Sequence, residues 1–134
     1  MKILIDTHIA LWATMYIERL SHAGQNILIS PENEVFFSVI SIWEVGLKHS
    51  IDPKNMEISS AEFRRICLEA GFIEMPLEAK HILGLESLTQ KEGYPLHKDP
   101  FDRILLAQAQ IEGMTFMTHD QKIATFDTKD VILV

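Results

Sequence analysis

Four acidic side chains in this sequence stand at the end of a predicted strand or in the first turn of a predicted helix. They are Asp6 after KILI, Glu44 in SIWEVGLKHS, Asp102 in HKDPFDRILLAQA and Asp120 after MTFMTH. In an open parallel sheet, the carboxyl ends of the strands and the first turns of the adjoining helices share one edge, where ligands bind. We therefore expect the four carboxylates to converge at that edge.

Converging carboxylates repel one another unless cations bind between them. Mg²⁺ prefers oxygen ligands in octahedral geometry and keeps several bound waters, and carboxylates suit Mn²⁺ equally well. Two such ions can activate a water molecule and stabilise the leaving oxygen in phosphodiester hydrolysis. The acids therefore predict a Mg²⁺ or Mn²⁺ site rather than a Cys/His zinc site.

Each acid also has a simpler explanation as a helix cap or, for Asp102, as an acid in the first helical turn that complements the helix dipole. Asp99 is the predicted N-cap of the helix that begins at the Pro of DPFDR, and Asp6 could cap the helix that follows KILI. The segments Ser41–Glu44 and Thr118–Gln121 match capping boxes, the first of which would place Glu44 in the first turn of its helix. Independent caps, however, have no reason to collect at one edge.

Strand propensity alternates with helical periodicity along the sequence. Strands are predicted at Lys2–Asp6, Glu34–Val39, FIEMPL, Met114–Thr118 and DVILV, with helices between them. This alternation favours a mostly parallel sheet with helices on both faces. We predict an α/β fold in which a small, mostly parallel β-sheet is sandwiched between α-helices.

Three of the helical segments carry specific expectations. Ser21–Ser30 has strand propensity at Ile27–Ile29, but its first Ser suits an N-cap, so we predict a helix. Ser59–Gly71 is predicted as a helix with a Ser cap and a terminal Gly. LEAKHILGLESL is predicted as one helix with its inward face formed by Ala79, Ile82, Leu83 and Leu85.

Composition sets the bounds of these interpretations. With 134 residues, 47% of them hydrophobic, we expect one domain spanning residues 1–134. No signal peptide or membrane-length apolar run is recognisable, and the lone Cys67 cannot form an internal disulfide, so we expect a soluble cytoplasmic protein without a membrane partner. Because the net charge is −7, binding to nucleic acid would require positive charge from another source, which bound divalent cations could supply.

Four stretches together resemble the PIN domain, and in detail the VapC-type toxins of toxin–antitoxin pairs. They are ILIDTHIALW, SVISIWEVGLK, HKDPFDRILLAQA and MTHDQKI, in the family's order and spacing over essentially the whole chain. The resemblance implies a PIN-like fold and a Mg²⁺- or Mn²⁺-dependent endoribonuclease that acts on RNA. It also implies a homodimer held silent by a cognate antitoxin. An acidic cleft suits an antitoxin with a basic C-terminal segment, because Arg grips carboxylates in bidentate fashion.

The resemblance also assigns residues. It implies that the four acids Asp6, Glu44, Asp102 and Asp120 bind metal and carry catalysis. Hydroxyl groups that the family often has near its metal site fall here at Thr7, Ser41 and Thr118. Asp99 is an additional acid, which we interpret first as a helix cap or as support for the metal ligands. His119 stands where many relatives carry Arg.

Other functions remain open at this point. The acids of a catalytically silent α/β interaction module would only cap helices. A receiver-like phosphoacceptor would also use a strand-end acid with Mg²⁺, but the acidic pair expected before its first helix is absent. His8, His97 and His119 flank the predicted edge, although an exposed His in a turn needs no function. Lys48, four residues after Glu44, is expected to form a surface ion pair with it.

Overall fold

Five strands and six α-helices alternate along the chain, and a computed structural model describes all 134 residues. The strands are β1 (Lys2–Ile5), β2 (Glu34–Ser38), β3 (Ile73–Met75), β4 (Thr115–Thr118) and β5 (Val131–Leu133). The helices are α1 (Thr7–Met15), α2 (His22–Ile29), α3 (Val39–Ile51), α4 (Ser60–Glu69), α5 (Ala79–Leu83) and α6 (Pro100–Glu112). Short 3₁₀ turns lie at Ile17–Arg19, Gly84–Ser87 and Gln121–Thr125. No helix is both long enough and apolar enough to cross a membrane.

The strands form one sheet in the order β3-β2-β1-β4-β5, and every pairing is parallel. The predicted α/β fold with its mostly parallel sheet is confirmed. In the central strand β1, Ile3 and Ile5 enter one core and Leu4 enters the other, so both faces of the sheet are covered. Because β4 pairs directly with β1, the residues that follow these two strands lie side by side at one edge.

Two cores pack against opposite faces of this sheet. One contains Ile9 of α1 and Phe63 of α4, and the other contains Leu105 of α6 together with Phe116 of β4. All four of these side chains are fully buried. The helices that carry the candidate acids are therefore fixed to the sheet by apolar contacts that do not depend on the acids.

The start of α3 differs from the prediction. Strand β2 runs directly into the helix, which begins at Val39, and the N-cap is Ser38, whose hydroxyl accepts a hydrogen bond from the Ile40 amide at 3.0 Å. The predicted capping box at Ser41–Glu44 is therefore wrong. Glu44 lies in the second turn of α3, where it has no free backbone amide to cap.

The segment LEAKHILGLESL also differs from the prediction. Its α-helix ends at Leu83, and the residues expected to face inward are exposed (Ala79, Ile82 and Leu83) or half-buried (Leu85). His81 is fully buried instead, because its Nδ1 accepts from the Glu78 amide at 3.0 Å and its Nε2 lies 2.8 Å from Glu112. Helical periodicity cannot reveal a buried polar residue whose partners lie on another helix. By contrast, α2 and the capped helix α4 form where they were predicted.

Candidate metal-binding site

The four predicted acids line one open cleft at the carboxyl edge of the sheet. The cleft measures about 510 Å³, and its walls include Asp6, Glu44, Asp102 and Asp120. The expected convergence of these side chains is thus present in the structure. Of the residues named as their support, Thr7 and Asp99 also line the cleft, whereas Ser41 and Thr118 lie behind it.

Asp6 sits at the point where β1 becomes α1. Its Oδ1 accepts from the Ile9 amide at 2.8 Å, so it caps α1, and its Oδ2 accepts from the Thr118 hydroxyl at 2.5 Å. The residue is only 4% exposed. Burial raises the pKa of the Asp6 carboxyl, although these two hydrogen bonds oppose the shift and the nearby charge of Glu44 adds to it.

Glu44 is held by the Thr7 hydroxyl and a lysine, and the Ser41 hydroxyl in turn contacts Thr7. The Thr7 hydroxyl donates to Glu44 Oε1 at 2.6 Å, and the Thr7 and Ser41 hydroxyl oxygens lie 2.9 Å apart. Because a hydroxyl carries one proton, Thr7 accepts from Ser41 when it donates to Glu44. Lys48 Nζ lies 2.5 Å from Glu44 Oε2. The predicted pair is confirmed, but Glu44 is buried, and Lys48 supplies its positive charge from the wall of the cleft.

Asp102 has a partner that the sequence did not indicate. His97 Nε2 lies 2.9 Å from Asp102 Oδ2, and the His97 side chain is only 9% exposed. His97 is therefore not the exposed turn residue that we expected. The Arg103 guanidinium donates to the His97 carbonyl at 3.2 Å and fixes the segment before α6. The one available signal was the position of His97 two residues before the N-cap of α6.

Asp99 caps α6 as predicted. Its Oδ1 accepts from the amides of Phe101 at 2.9 Å and Asp102 at 3.4 Å. Burial raises the pKa of the Asp102 carboxyl to about 6, the His97 hydrogen bond opposes this shift, and the charges of Asp99 and Asp120 add to it. Asp99 therefore has a structural role and an electrostatic effect on Asp102.

Asp120 caps the 3₁₀ turn that follows β4, because its Oδ1 accepts from the Lys122 amide at 2.9 Å. The Thr118 hydroxyl oxygen accepts from the Asp120 amide at 3.0 Å. The predicted capping box at Thr118–Gln121 is therefore wrong, since Thr118 bonds to the residue two positions later. Through this hydroxyl Thr118 ties the Asp120 turn to Asp6. His119 packs against the Trp12 ring and bonds to the carbonyl of Val134.

The donor set of the cleft fits a hard divalent cation. Carboxylate oxygens dominate it, and His97, Asp102 and Asp120 each place one ligand atom within 4.8 Å of the others. The raised pKa values of Asp6 and Asp102 show that the cleft disfavours its own negative charge. A bound cation would reverse that penalty.

A second group of possible ligands, formed by Glu78, His81 and Glu112, lies outside the cleft. Lys80 Nζ lies 2.9 Å from Glu112 and 3.6 Å from Glu78, so an internal cation already balances this group. The hydrogen bond from the Glu78 amide keeps His81 Nδ1 unprotonated, which makes Nε2 the donor to Glu112 in the neutral ring. These contacts give the group a structural role.

The family model of the PIN domain matches residues 3–129 of this chain. The chain belongs to the PIN domain family. No curated protein sequence is significantly similar to it. The predicted PIN-like fold is confirmed, and the cleft described above lies within the part of this PIN domain that the family model covers.

Solved structures share the fold of this PIN domain. One of them is a chain in the crystal structure of VapBC2 from Rickettsia felis bound to a promoter DNA fragment. It has a TM-score of 0.70 at 16% identity, over 100% of this chain and 99% of that chain. A chain of a toxin–antitoxin complex from Klebsiella pneumoniae has a TM-score of 0.58 at 19% identity, over 97% and 95% of the two chains. Mycobacterium tuberculosis VapC20, a sarcin–ricin loop cleaving toxin, has a TM-score of 0.54 at 15% identity, over 91% and 92%.

Proposed function

We propose that this PIN domain is a Mg²⁺- or Mn²⁺-dependent endoribonuclease and the toxin of a toxin–antitoxin pair. The observation that carries the proposal is the meeting of four carboxylates from separate segments of the chain in one open cleft. Family membership and the fold shared with toxins of toxin–antitoxin complexes support it. Residues 1–134 would act as one catalytic domain, in the cytoplasm and as a homodimer.

The side chains have separate parts in this mechanism. Asp6, Glu44, Asp102 and Asp120 would hold the metal, which when bound activates a water molecule and stabilises the leaving oxygen of the phosphodiester. Thr7, Ser41 and Thr118 orient Glu44 and Asp6 by hydrogen bonds. His97 orients Asp102 by a contact to one carboxylate oxygen. The other carboxylate oxygen of Asp102 remains free to bind metal in the cleft.

The alternative, a silent module whose acids only cap helices, is favoured by the caps that Asp6, Asp99 and Asp120 do form. It leaves Glu44 unexplained and gives Asp102, in the first turn of α6, only the weak role of complementing the helix dipole. Neither residue caps a helix, yet partners hold both oxygens of Glu44, through Thr7 and Lys48, and one oxygen of Asp102, through His97. Helix capping alone would not require two further acids in the same cleft.

The antitoxin is the second part of the proposal. A cleft lined by acids suits a basic segment, and an Arg of the antitoxin could displace both metal and RNA by a bidentate contact to the carboxylates. Expression of this chain alone should arrest growth, and co-expression of an adjacent antitoxin should restore it. Soluble, harmless expression of the chain alone would count against the toxin assignment.

The nuclease itself is tested with purified protein and single-stranded RNA. Cleavage should stop in EDTA and return with Mn²⁺, and Asp102→Asn and Glu44→Gln should be inactive while folded. The matched control is Asp127→Asn, an exposed carboxylate outside the cleft, which should cleave like the wild type. Equal activity of Asp102→Asn and the control would overturn the assignment.

A further inference from the structure

Basic side chains without an ion-pair partner are concentrated beside the acid cleft. Of the 12 Lys and Arg residues, four form ion pairs, namely Lys48, Arg64, Arg65 and Lys80. Four of the others line two grooves that adjoin the cleft: Arg19 and Lys54 in one, Lys98 and Lys122 in the other. In a chain with a net charge of −7, this placement sets two cations on each side of the cleft.

The first groove, which we call the aromatic groove, lies between α1 and the connection from α3 to α4. It measures about 340 Å³ and shares His8 and Trp12 with the cleft. Tyr16 also lines it, with the Arg19 guanidinium 5.0 Å from the centre of the Tyr16 ring. Aromatic rings and an unpaired cation therefore stand together within reach of the acids.

The second groove, which we call the lysine groove, adjoins the cleft on the side of α6. It measures about 440 Å³ and shares Asp99, Asp102 and Asp120 with the cleft. Lys98 and Lys122 add positive charge on its walls, and neither forms an ion pair within the chain. The cleft is thus continuous with an aromatic groove on one side and with a groove that carries two lysines without ion-pair partners on the other.

We propose that the aromatic groove, the cleft and the lysine groove form one track for a single RNA strand. Unpaired bases stack on Trp12 and Tyr16, phosphates contact Lys98 and Lys122, and the phosphodiester between them lies over the acids. This assignment of substrate contacts rests on the proposed ribonuclease function. Proteins that bind single strands combine aromatic rings for the bases with cations for the backbone. A duplex keeps its bases stacked on one another, so it cannot use the aromatic groove.

The test measures RNA binding apart from cleavage. A short fluorescein-labelled single-stranded RNA of mixed sequence is titrated with Asp102→Asn protein in Mg²⁺, where no cleavage is expected because this variant should be inactive. Adding Trp12→Leu should weaken binding about tenfold, the order expected for one stacked base. Adding Lys122→Gln should lower the slope of log affinity against log salt by about 0.7, the value expected for one phosphate contact on a single strand.

Two matched controls separate these contacts from general charge. Arg19→Gln should weaken binding, whereas Arg65→Gln should not, because Arg65 lies on α4 and lines none of the grooves. The control for Lys122→Gln is Lys2→Gln. Lys2 lies at the amino end of β1, on the side of the sheet opposite the carboxyl edge. In a Trp43→Phe background, Trp12 is the remaining tryptophan, and its fluorescence should be quenched by single-stranded RNA but not by a blunt duplex.

The outcomes distinguish this proposal from the nuclease proposal. If Trp12→Leu and Arg19→Gln bind RNA like their background while wild-type protein cleaves RNA with Mn²⁺, the track is overturned, the nuclease stands, and the aromatic groove is left to a protein partner. If the variants weaken binding as expected but no protein cleaves RNA with any divalent metal, the track is supported and the nuclease assignment fails.

Discussion

Replacing Asp6 separates the two roles that this residue combines in the structure. Asp6 caps α1 through the Ile9 amide and accepts the Thr118 hydroxyl, while also lining the cleft. Asp6→Asn keeps an oxygen for the Ile9 amide, its amide nitrogen can donate to the Thr118 hydroxyl oxygen in place of accepting from it, and Asn is as good an N-cap as Asp. Because burial raises the pKa of Asp6, the folded protein disfavours its charge at neutral pH. Asp6→Asn should therefore melt no lower than the wild type in EDTA.

Asp6→Ala removes both acceptor oxygens of Asp6. Asp6→Ala and Asp6→Asn should therefore differ in melting temperature. Loss of an N-cap costs about 1 kcal/mol, which corresponds to about 3 to 5 °C in the melting temperature of a chain of this size. Asp6→Ala should melt below Asp6→Asn by about that amount. At a free metal concentration a hundred times Kd, binding stabilises the wild type by about 2.7 kcal/mol, which raises its melting temperature by about 8 to 13 °C. Both variants should lose most of this gain.

The assay is thermal unfolding of each variant in EDTA and in a series of Mn²⁺ concentrations. Ser59→Ala is the matched control, because Ser59 caps α4 by accepting from the Glu62 amide, away from the cleft. It should lose about 1 kcal/mol in either buffer and keep the full gain from the metal. A metal-induced gain of wild-type size in Asp6→Asn would refute Asp6 as a ligand. Melting of Asp6→Asn well below wild type in EDTA would refute the argument from burial.

Two further predictions concern Asp102 and Gly84. Because the pKa of Asp102 is raised to about 6, protons compete with metal, and the calorimetric Mn²⁺ affinity should fall about tenfold or more per pH unit below about 6. The same raised pKa of Asp102 stabilises the metal-free folded protein at low pH, and this contribution is lost as the pH rises through about 6. Asp102→Asn should reduce this pH dependence of the free energy of unfolding, measured in urea. A Cβ at Gly84 would lie 2.8 Å from Ile111 Cγ1, so Gly84→Ala should cost about 1 to 3 kcal/mol in urea unfolding despite alanine's helix propensity. Ile111→Ala should reduce that cost, and its failure to do so would contradict the steric explanation.

Local sequence signals determined most of the architecture. Residues Ile3–Ile5 of β1 lie between two covered faces and are all apolar, and the caps at Ser21, Ser59 and Asp99 mark the starts of α2, α4 and α6 as predicted. These signals are reliable because each cap bonds to an amide two or three residues later in the chain. The alternation of strands and helices then leaves few topologies besides a parallel sheet, and this brings the four acids to one edge.

Tertiary structure decided the contacts between residues that are distant in sequence. Thr7 reaches Glu44 on another helix, Thr118 joins Asp6 across neighbouring strands, and His81 is buried because Glu112 lies opposite. Periodicity and capping rules describe only near neighbours in the chain, so they assigned Glu44 to a capping box and did not include His81 on the inward face of its helix. The sequence by itself determined which acids meet at the carboxyl edge of the sheet. Packing decided how each is oriented and how far its pKa is shifted, because burial and hydrogen bonding depend on the whole fold.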